Sequence, residues 1–573
     1  MRKNNKLAVK AFTFLVCLTV LTGCTTGNGD SKGTGDDTQV TATAEPGNDS
    51  NTGNKTEDGN NSTVVTPGTE DGNSGSGNTD TGNSDGKSGS GSDDQSGNNS
   101  TVSDVNIPAS ATFKTISIDY KTKDMETSYV PGDCTSIIFS DNDIKVVGKE
   151  TEINNVNGKQ IVKIIKKGDY LISGSCSNGQ IIVEANKEKD VRLILNGLTL
   201  TCNDSAPIYE KQCDKMVITL ADGTENVLSD TSQYVYEDTE KKQPDAVIFA
   251  KDDLVINGNG TLKVNSSYME GIHSTDSVKL ISGNISVRSA DNGVRGKEGV
   301  IIKEANLEVT SKGDGIKTTY SDNTSLGYVI IEGGDIKLYT AKDAIQATGH
   351  IQITGGTIDI TTDNGVAHAG SDEESKSAKA IKTDNNIYIK GAELKIDAAE
   401  DAVKANGNVI IDGGKISIGT YEDAIQADEA VVINDGTVDV NRSAKSIKGK
   451  SVTINGGNVN VKSEETGIRA SSGKDDNEDS KVIFGEDDPF AVNKDVYIAV
   501  TGGTVFIYAD EGLCLKSDGD LYVTGGTVTV DGFLAGDGGT ISFDGTAYVT
   551  GGTVENKAEG IVINNEIMNL NNK

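Results

Sequence analysis

The chain has 573 residues and carries 86 acidic against 53 basic side chains, a formal charge of −33. That balance excludes nucleic acid as a partner, since phosphate binding needs concentrated Lys and Arg. It also disfavours unaided capture of an acidic polymer, unless bound divalent cations reverse the sign locally. Gly is 68 residues, Pro only 7 and Trp is absent, while short Val, Ile and Thr runs alternate with Asn, Asp and Gly. That texture predicts an all-β chain of short strands and sharp turns.

Residues 1–24 begin with Arg2, Lys3 and Lys6, continue through an apolar run from Ala11 to Leu18, and close with Leu21-Thr22-Gly23-Cys24. This pattern predicts a lipoprotein signal peptide, too short for a spanning helix, with lipidation at Cys24. The expected location is the outer face of a bacterial cell membrane, exposed at the cell surface and held by the lipid on Cys24. Residues 25–105 are nearly all Gly, Ser, Asn, Thr and Asp, which cannot bury enough apolar area to order the chain. They predict a flexible tether with an end-to-end distance of roughly 50 Å.

Residues 106–573 form the predicted folded domain. Its first strands are read at Ile116-Ser117-Ile118, Thr135–Phe139, Gly168–Gly174, Gln180–Val183, Val191–Gly197 and Met216–Leu220. From about residue 250 a small residue recurs at the end of an interstrand turn. It stands at Gly260, Gly283, Ala305, Gly334, Gly356, Ala392, Gly414, Gly436, Gly457, Gly503, Gly526 and Gly552. The usual interval is about 22 residues, lengthened where polar insertions fall around 319–327, 367–379 and 470–495. Phase survives the insertions, as a solenoid requires.

One unit is visible in residues 398–427. Glu400-Asp401-Ala402-Val403-Lys404 returns as Glu422-Asp423-Ala424-Ile425-Gln426, with Val409-Ile410-Ile411 and Ile416-Ser417-Ile418 between them. Three strands per 22 residues predict a single-stranded parallel β-helix whose coils stack about 4.8 Å apart, giving roughly 60 Å of rod and a monomeric state. Beyond Cys17 and Cys24, Cys134, Cys176, Cys202, Cys213 and Cys514 remain. A Cys202–Cys213 disulfide and buried free thiols are both open readings.

Stacked coils turn repeated residues into columns. The turn before the third strand yields an acidic one, read as Asp291, Asp314, Asp343, Asp363, Asp401 and Asp423, with Glu400 and Glu422 beside it. Hard carboxylate oxygens in such a line predict Ca²⁺, first at Glu400/Asp401 and Glu422/Asp423. Asp475–Asp479 and Glu486–Asp488 are second candidates. The competing reading is a solvated corner in which each Asp bonds backbone.

One strand residue outward lies a polar or basic column: His273, Arg295, Lys317, Gln346, Lys382, Lys404, Gln426, Lys448 and Arg469. It predicts either charge compensation or a groove that hydrogen-bonds sugar hydroxyls and carboxylates. Tyr339 and Tyr508 occupy equivalent outward positions suited to stacking on sugars, with Tyr421 nearby. A calcium-dependent lyase would need Lys317, Lys382 or Lys404 as base, and neighbouring carboxylates make a lysine a poorer one.

The segments Gly168-Asp169-Tyr170, Val191–Gly197, Ala206–Tyr209, Ile218–Asn226 and Lys251–Leu262 resemble the bacterial carbohydrate-binding β-helix family first described in a cellulolytic clostridium. Residues 271–273, 292–297 and 313–317 follow the same pattern. The resemblance implies a right-handed parallel β-helix with a polysaccharide-lyase-like fold. It also implies binding of calcium and of cellulose, pectic acid or a similar polysaccharide, without demonstrated lyase activity. The function expected is therefore a non-catalytic, cell-surface, calcium-assisted polysaccharide binder. A pectate lyase and a surface adhesin or wall-structural rod are the alternatives.

Overall fold

The computed structural model describes residues 105–236, 239–322, 325–367, 377–472, 495–532 and 540–569. The signal segment with Cys24, the tether up to residue 104, and both Asp475–Asp479 and Glu486–Asp488 lie outside these residues. What is described is an all-β solenoid compatible with a β-helix. Its strands fall into a 32-stranded and a 16-stranded sheet.

The coil holding residues 409–427 shows the rule. Strand Val409–Ile411, a Gly413-Gly414 turn, strand Lys415–Thr420, an acidic turn and strand Ile425–Ala427 complete one circuit. Each then pairs in parallel with its counterpart in the next coil: Val409 with Val431, Lys415 with Thr437 and Ile425 with Ile447. Three ladders therefore climb the solenoid, two in the larger sheet and the third forming the smaller one. Antiparallel hairpins close both ends. Thr135–Phe139 pairs with Ile144–Val147 and Glu152–Val156 with Lys159–Ile164 at the start. Glu566–Asn569 and Ile561–Ile563 fold back at the finish. Edges that would otherwise recruit other chains are occupied.

The core follows from side-chain alternation. Along Lys415–Thr420 burial alternates, with Ile416 and Ile418 inward. Their counterparts Leu394 and Ile396 below and Val438 and Val440 above continue two apolar stacks. All belong to one cluster that runs through the solenoid. Cys134, Cys176, Cys202, Cys213 and Cys514 are buried and unpaired, so Cys202 and Cys213 form no disulfide.

The strands of the first ladder are different, buried on both faces, as at Ile387–Ile389 and Val409–Ile411. Their outer face is covered by residues 105–125. Val105 and Ile107 pack on the cluster of Tyr497, Ala499 and Tyr522, while Ala111 and Phe113 pack on Tyr388, Ile410 and Val432. Phe113 stacks on Tyr388 at 5.0 Å. Ile116 donates its N–H to Gln352 Oε1 at 2.7 Å, and Gln352 Nε2 donates to the Ile116 carbonyl at 3.0 Å. Ile116–Ile118 is therefore an extended strap held by a side-chain amide, not a strand of either sheet. Beyond it Tyr120 packs on Val217, Val255 and Ile281. A one-turn helix, Thr122–Met125, places Asp124 between Lys215 Nζ at 2.6 Å and Lys279 Nζ at 3.0 Å.

The predicted turn series is in register from Gly260 to Gly552, each member preceding aligned residues such as Asn284, Asn306 and Thr357. Gly436 shows why the residue is small. Its φ is +100°, and a Cβ there would lie 2.7 Å from the Gly414 carbonyl oxygen of the coil below. Gly436→Ala should therefore destabilise the fold by about 1–3 kcal/mol, read as a lower urea midpoint with unchanged m.

Candidate functional site

With the first ladder under its strap, the outer faces of the second and third ladders are the polar surfaces left open, and the clefts lie on the third. Its outward residues register without a break through His273, Arg295, Lys317, Gln346, Lys382, Lys404, Gln426, Lys448 and Arg469. Lys516 continues the column beyond the predicted members. Tyr339 and Tyr508 share a column of the second ladder, around the corner.

Three residues earlier runs the corner column, and the backbone bonds between coils define its membership. Gly271 N bonds Asn292 O, Gly293 N bonds Asp314 O, and Gly315 N bonds Asp343 O. The series continues from Ala344 N to Lys379 O, Ala380 N to Asp401 O, Ala402 N to Asp423 O and Ala424 N to Lys445 O. The column is thus Glu270, Asn292, Asp314, Asp343, Lys379, Asp401, Asp423 and Lys445. Asp291 and Asp363 are corrected out of it. Asp291 sits one residue early, beside Asn292. Asp363 precedes the 367–379 insertion, where it takes a left-handed backbone with φ +43°, and Lys379 fills the column position.

These side chains do a structural task. Asn292 Oδ1 accepts the N–H of Asp314 at 2.9 Å, Asp314 Oδ1 that of Asp343 at 3.1 Å, and Asp343 Oδ1 that of Lys379 at 2.9 Å. Asp401 Oδ1 accepts the N–H of Asp423 at 3.1 Å. The turn cannot close a strand ladder, so a short acceptor from the neighbouring coil satisfies a buried donor. Opposite charge gathers around the second carboxylate oxygen. Lys317 lies 2.5 Å from Asp314 Oδ2 and Lys382 3.3 Å from Asp343 Oδ2, while Lys379 lies 3.0 Å from Asp401 Oδ2 and 2.9 Å from Glu400 Oε2.

Around Asp401 and Asp423 the face opens into a cleft of about 510 Å³, lined by Lys379, Asp401, Lys404, Tyr421, Glu422, Asp423, Gln426, Lys445, Lys448, Glu464 and Glu465. Tyr421 is 43% exposed. Lys404 pairs with Asp428 at 2.8 Å. Burial, then repulsion from Asp401, pushes the Asp423 carboxyl up to about 6, against the pull of Lys448, Lys445 and Lys404. Glu422 is raised by the same two causes. Burial opposes the charge on Lys379, but Asp401 and Glu400 outweigh it and hold the ammonium above the ordinary lysine range. Asp401, Glu422 and Asp423 offer hard oxygens with repulsion left over, which fits a divalent cation by donor chemistry.

Among the described residues, the group of three ligand-type side chains lying within 4.8 Å is elsewhere: Asp245, Glu270 and His273. His273 Nδ1 lies 2.6 Å from Asp245 Oδ1. Arg295 and Asn292 donate to Glu270 Oε1 at 2.8 and 3.2 Å, leaving Glu270 Oε2 buried without a partner. A dication there would sit against the guanidinium, so the group is better described as the Arg295–Glu270 ion pair beside the His273–Asp245 hydrogen bond.

The sequence matches the family described as "Carbohydrate-binding domain-containing protein" over residues 157–424 and 418–538. The chain belongs to that carbohydrate-binding family. A relative from Acetivibrio thermocellus with the same description is 38% identical over 234 residues, covering 40% of this chain and 80% of the relative. A solved structure of a "polysaccharide lyase-like protein" from C. thermocellum, a gadolinium derivative, is 32% identical with a TM-score of 0.39. It covers 46% of this chain and 97% of that one.

Lys379 was missed in the sequence because the insertion hides the phase. Its signal was nonetheless present, since Lys379-Ala380-Ile381-Lys382 keeps the Ala-Ile/Val-Lys pattern of Asp401–Lys404.

The acceptor column makes a paired prediction. Asp314→Ala should cost about 1–3 kcal/mol by orphaning the Asp343 N–H, whereas Asp314→Asn, which keeps the acceptor as Asn292 does, should cost markedly less in denaturant titrations. For Asp423 the folded pKa is raised, so the folded state binds the extra proton between about 4 and 6. Ionising it is a cost that appears as pH rises through about 6 and vanishes below the unfolded value. Asp423→Asn should thus be more stable than wild type above pH 6, by at most roughly 3 kcal/mol, with the gap closing towards pH 4.

Proposed function

We propose that this carbohydrate-binding domain holds a polysaccharide, cellulosic or pectic, along the outer face of the third ladder without cleaving it. The observation that carries the reading is the cleft around Lys404, Gln426 and Lys448. Cationic and amide donors stand there within the same walls as Asp401, Glu422 and Asp423 as acceptors, with exposed Tyr421 beside them. Sugar hydroxyls both donate and accept, and a tyrosine face suits a pyranose ring. Tyr339, 43% exposed on the adjoining face, would extend contact around the corner, as would Tyr508.

Ca²⁺ is proposed at Asp401, Glu422 and Asp423, where carboxylate repulsion is incompletely offset. Their donors suit the ion, and its binding would order the cleft or bridge to an acidic sugar. Asp314, Asp343 and Glu400 each spend an oxygen on a lysine ammonium, as Asp401 does on Lys379, so Glu422 and Asp423 are the freer donors and Asp401 would join them by giving up Lys379. The non-catalytic reading is supported by the candidate lyase bases, since Lys317, Lys382 and Lys404 are each engaged with a carboxylate. Parallel strands joined within one sheet favour the right-handed crossover, which supports a right-handed β-helix. The signal segment and Cys24 support presentation as a lipoprotein on the outer membrane face.

A pull-down panel of insoluble and gel-forming polysaccharides, run with Ca²⁺ and with EDTA, tests the reading. Binding of at least one polysaccharide is expected, weakened roughly tenfold by Tyr421→Ala or Lys404→Ala, as loss of one stacked or charged anchor would be. Unsaturated uronate product appearing with Ca²⁺ would establish a lyase instead. Failure to bind any glycan in either condition would leave a structural rod or adhesin.

A further inference from the structure

A second cleft, of about 590 Å³, opens on the same ladder face nearer the start of the solenoid. It lies where strands Ala246–Ala250, Glu270–Ser274 and Val294–Gly296 end. Its lining includes six Lys or Arg side chains against two carboxylates, Asp245 and Asp252, on a chain whose net charge is −33. The cleft around Lys404 has four lysines against five acids.

Part of the positive charge of the second cleft, that of Lys187, Lys251 and Lys297, has no carboxylate paired to it among the described residues. Asp245 is committed to His273 and Asp252 accepts the Cys213 N–H at 3.3 Å. Arg295 answers Glu270 below the surface, with its Nε buried and unpartnered. Among the described residues Lys187, Lys251 and Lys297 make no salt bridge. Aromatic faces position two of these instead: Lys251 lies 6.0 Å from the centroid of Tyr209, which Lys211 also approaches at 5.1 Å, and Lys297 lies 5.2 Å from that of Tyr320. A ring face orients an ammonium while leaving its donors available. Uncompensated cations facing one concavity focus a positive potential that selects anions.

We infer that this cleft is a binding site for an oxyanion-bearing sugar, carboxylated or phosphorylated, that works without a bridging divalent cation. It is separate from the site around Lys404, about 20 Å away by four coil steps from Arg295, and does not depend on it. Lys251, Lys297 and Arg295 would contact the anion, and buried His273, fixed by Asp245, would form the floor.

Calorimetric titration of the full chain in EDTA, with trigalacturonate and separately with a hexose 6-phosphate, tests this. At least one probe should bind and weaken with added salt, and Lys251→Gln/Lys297→Gln should lose tenfold or more in affinity. Fully methyl-esterified trigalacturonate should bind at least tenfold more weakly than the acid. Whichever probe binds identifies carboxylate or phosphate as the anion. The same titration of Lys404→Ala and Tyr421→Ala should be unchanged, which separates this site from the one proposed above. Absence of binding by both probes in EDTA, equal binding of the ester, or an unaltered double variant would overturn the inference. Both lysines are on the surface, and the unfolding midpoint of the double variant checks that the fold is intact.

Discussion

The coil-to-coil register is the constraint on which the rest of this molecule depends. A 22-residue circuit returns each residue above its counterpart, so backbone donors of one coil meet acceptors of the next. Strands satisfy this automatically, but corners do not. At the acidic corner the deficit is met by a side-chain oxygen one coil below, from Asn292, Asp314, Asp343 and Asp401 in turn. Asn serving alongside Asp shows that the position selects an acceptor first and a charge second. The charge is then available for pairing with lysines on the face, which is how a structural ladder and a polar surface come to share the same residues.

The strap decides which surface is available. Val217, Val255, Ile410 and Val432 point outward from the first ladder and would be an apolar stripe exposed to water. Residues 105–121 bury that stripe from the last coils to the first, with Gln352 supplying in one side chain the donor and acceptor that a neighbouring strand would have offered. The strap thereby leaves the polar faces of the second and third ladders to solvent, and it is the third that is hollowed into clefts.

Much of this was legible in the sequence because strand patterning reports burial directly. Ile416-Ser417-Ile418 alternates and is buried on one side, whereas Val409-Ile410-Ile411 is apolar throughout and is buried on both. An uninterrupted apolar run is what a covered strand requires, but the cover itself went unread and Ile116–Ile118 reads as a strand, since a strap has no period of its own. The basic column was readable because it lies on strands, where register is rigid. The acidic column was readable only in part. Turns accept insertions, and a count carried across 367–379 placed Asp363 where Lys379 stands, while a one-residue slip took Asp291 for Asn292. The second cleft left no local signal, because Lys187, Lys251 and Lys297 are scattered through the chain and meet only on folding.

Net charge proves a poor guide to what a solenoid can bind. Screening reduces distant charges to little beyond about 10 Å at moderate salt, so a ligand responds to the few coils it touches. On this face those coils differ in character. Around Lys404 donors and acceptors are nearly balanced, with carboxylates whose repulsion invites a cation. Around Lys251 and Lys297 positive charge dominates and invites an anion. A solenoid can carry such unlike sites on one ladder because each coil contacts only its neighbours, and substitution at one corner leaves the register of distant coils intact. The overall charge of −33 is then a sum over unlike coils, while the local charge that a ligand meets is set coil by coil along the third ladder.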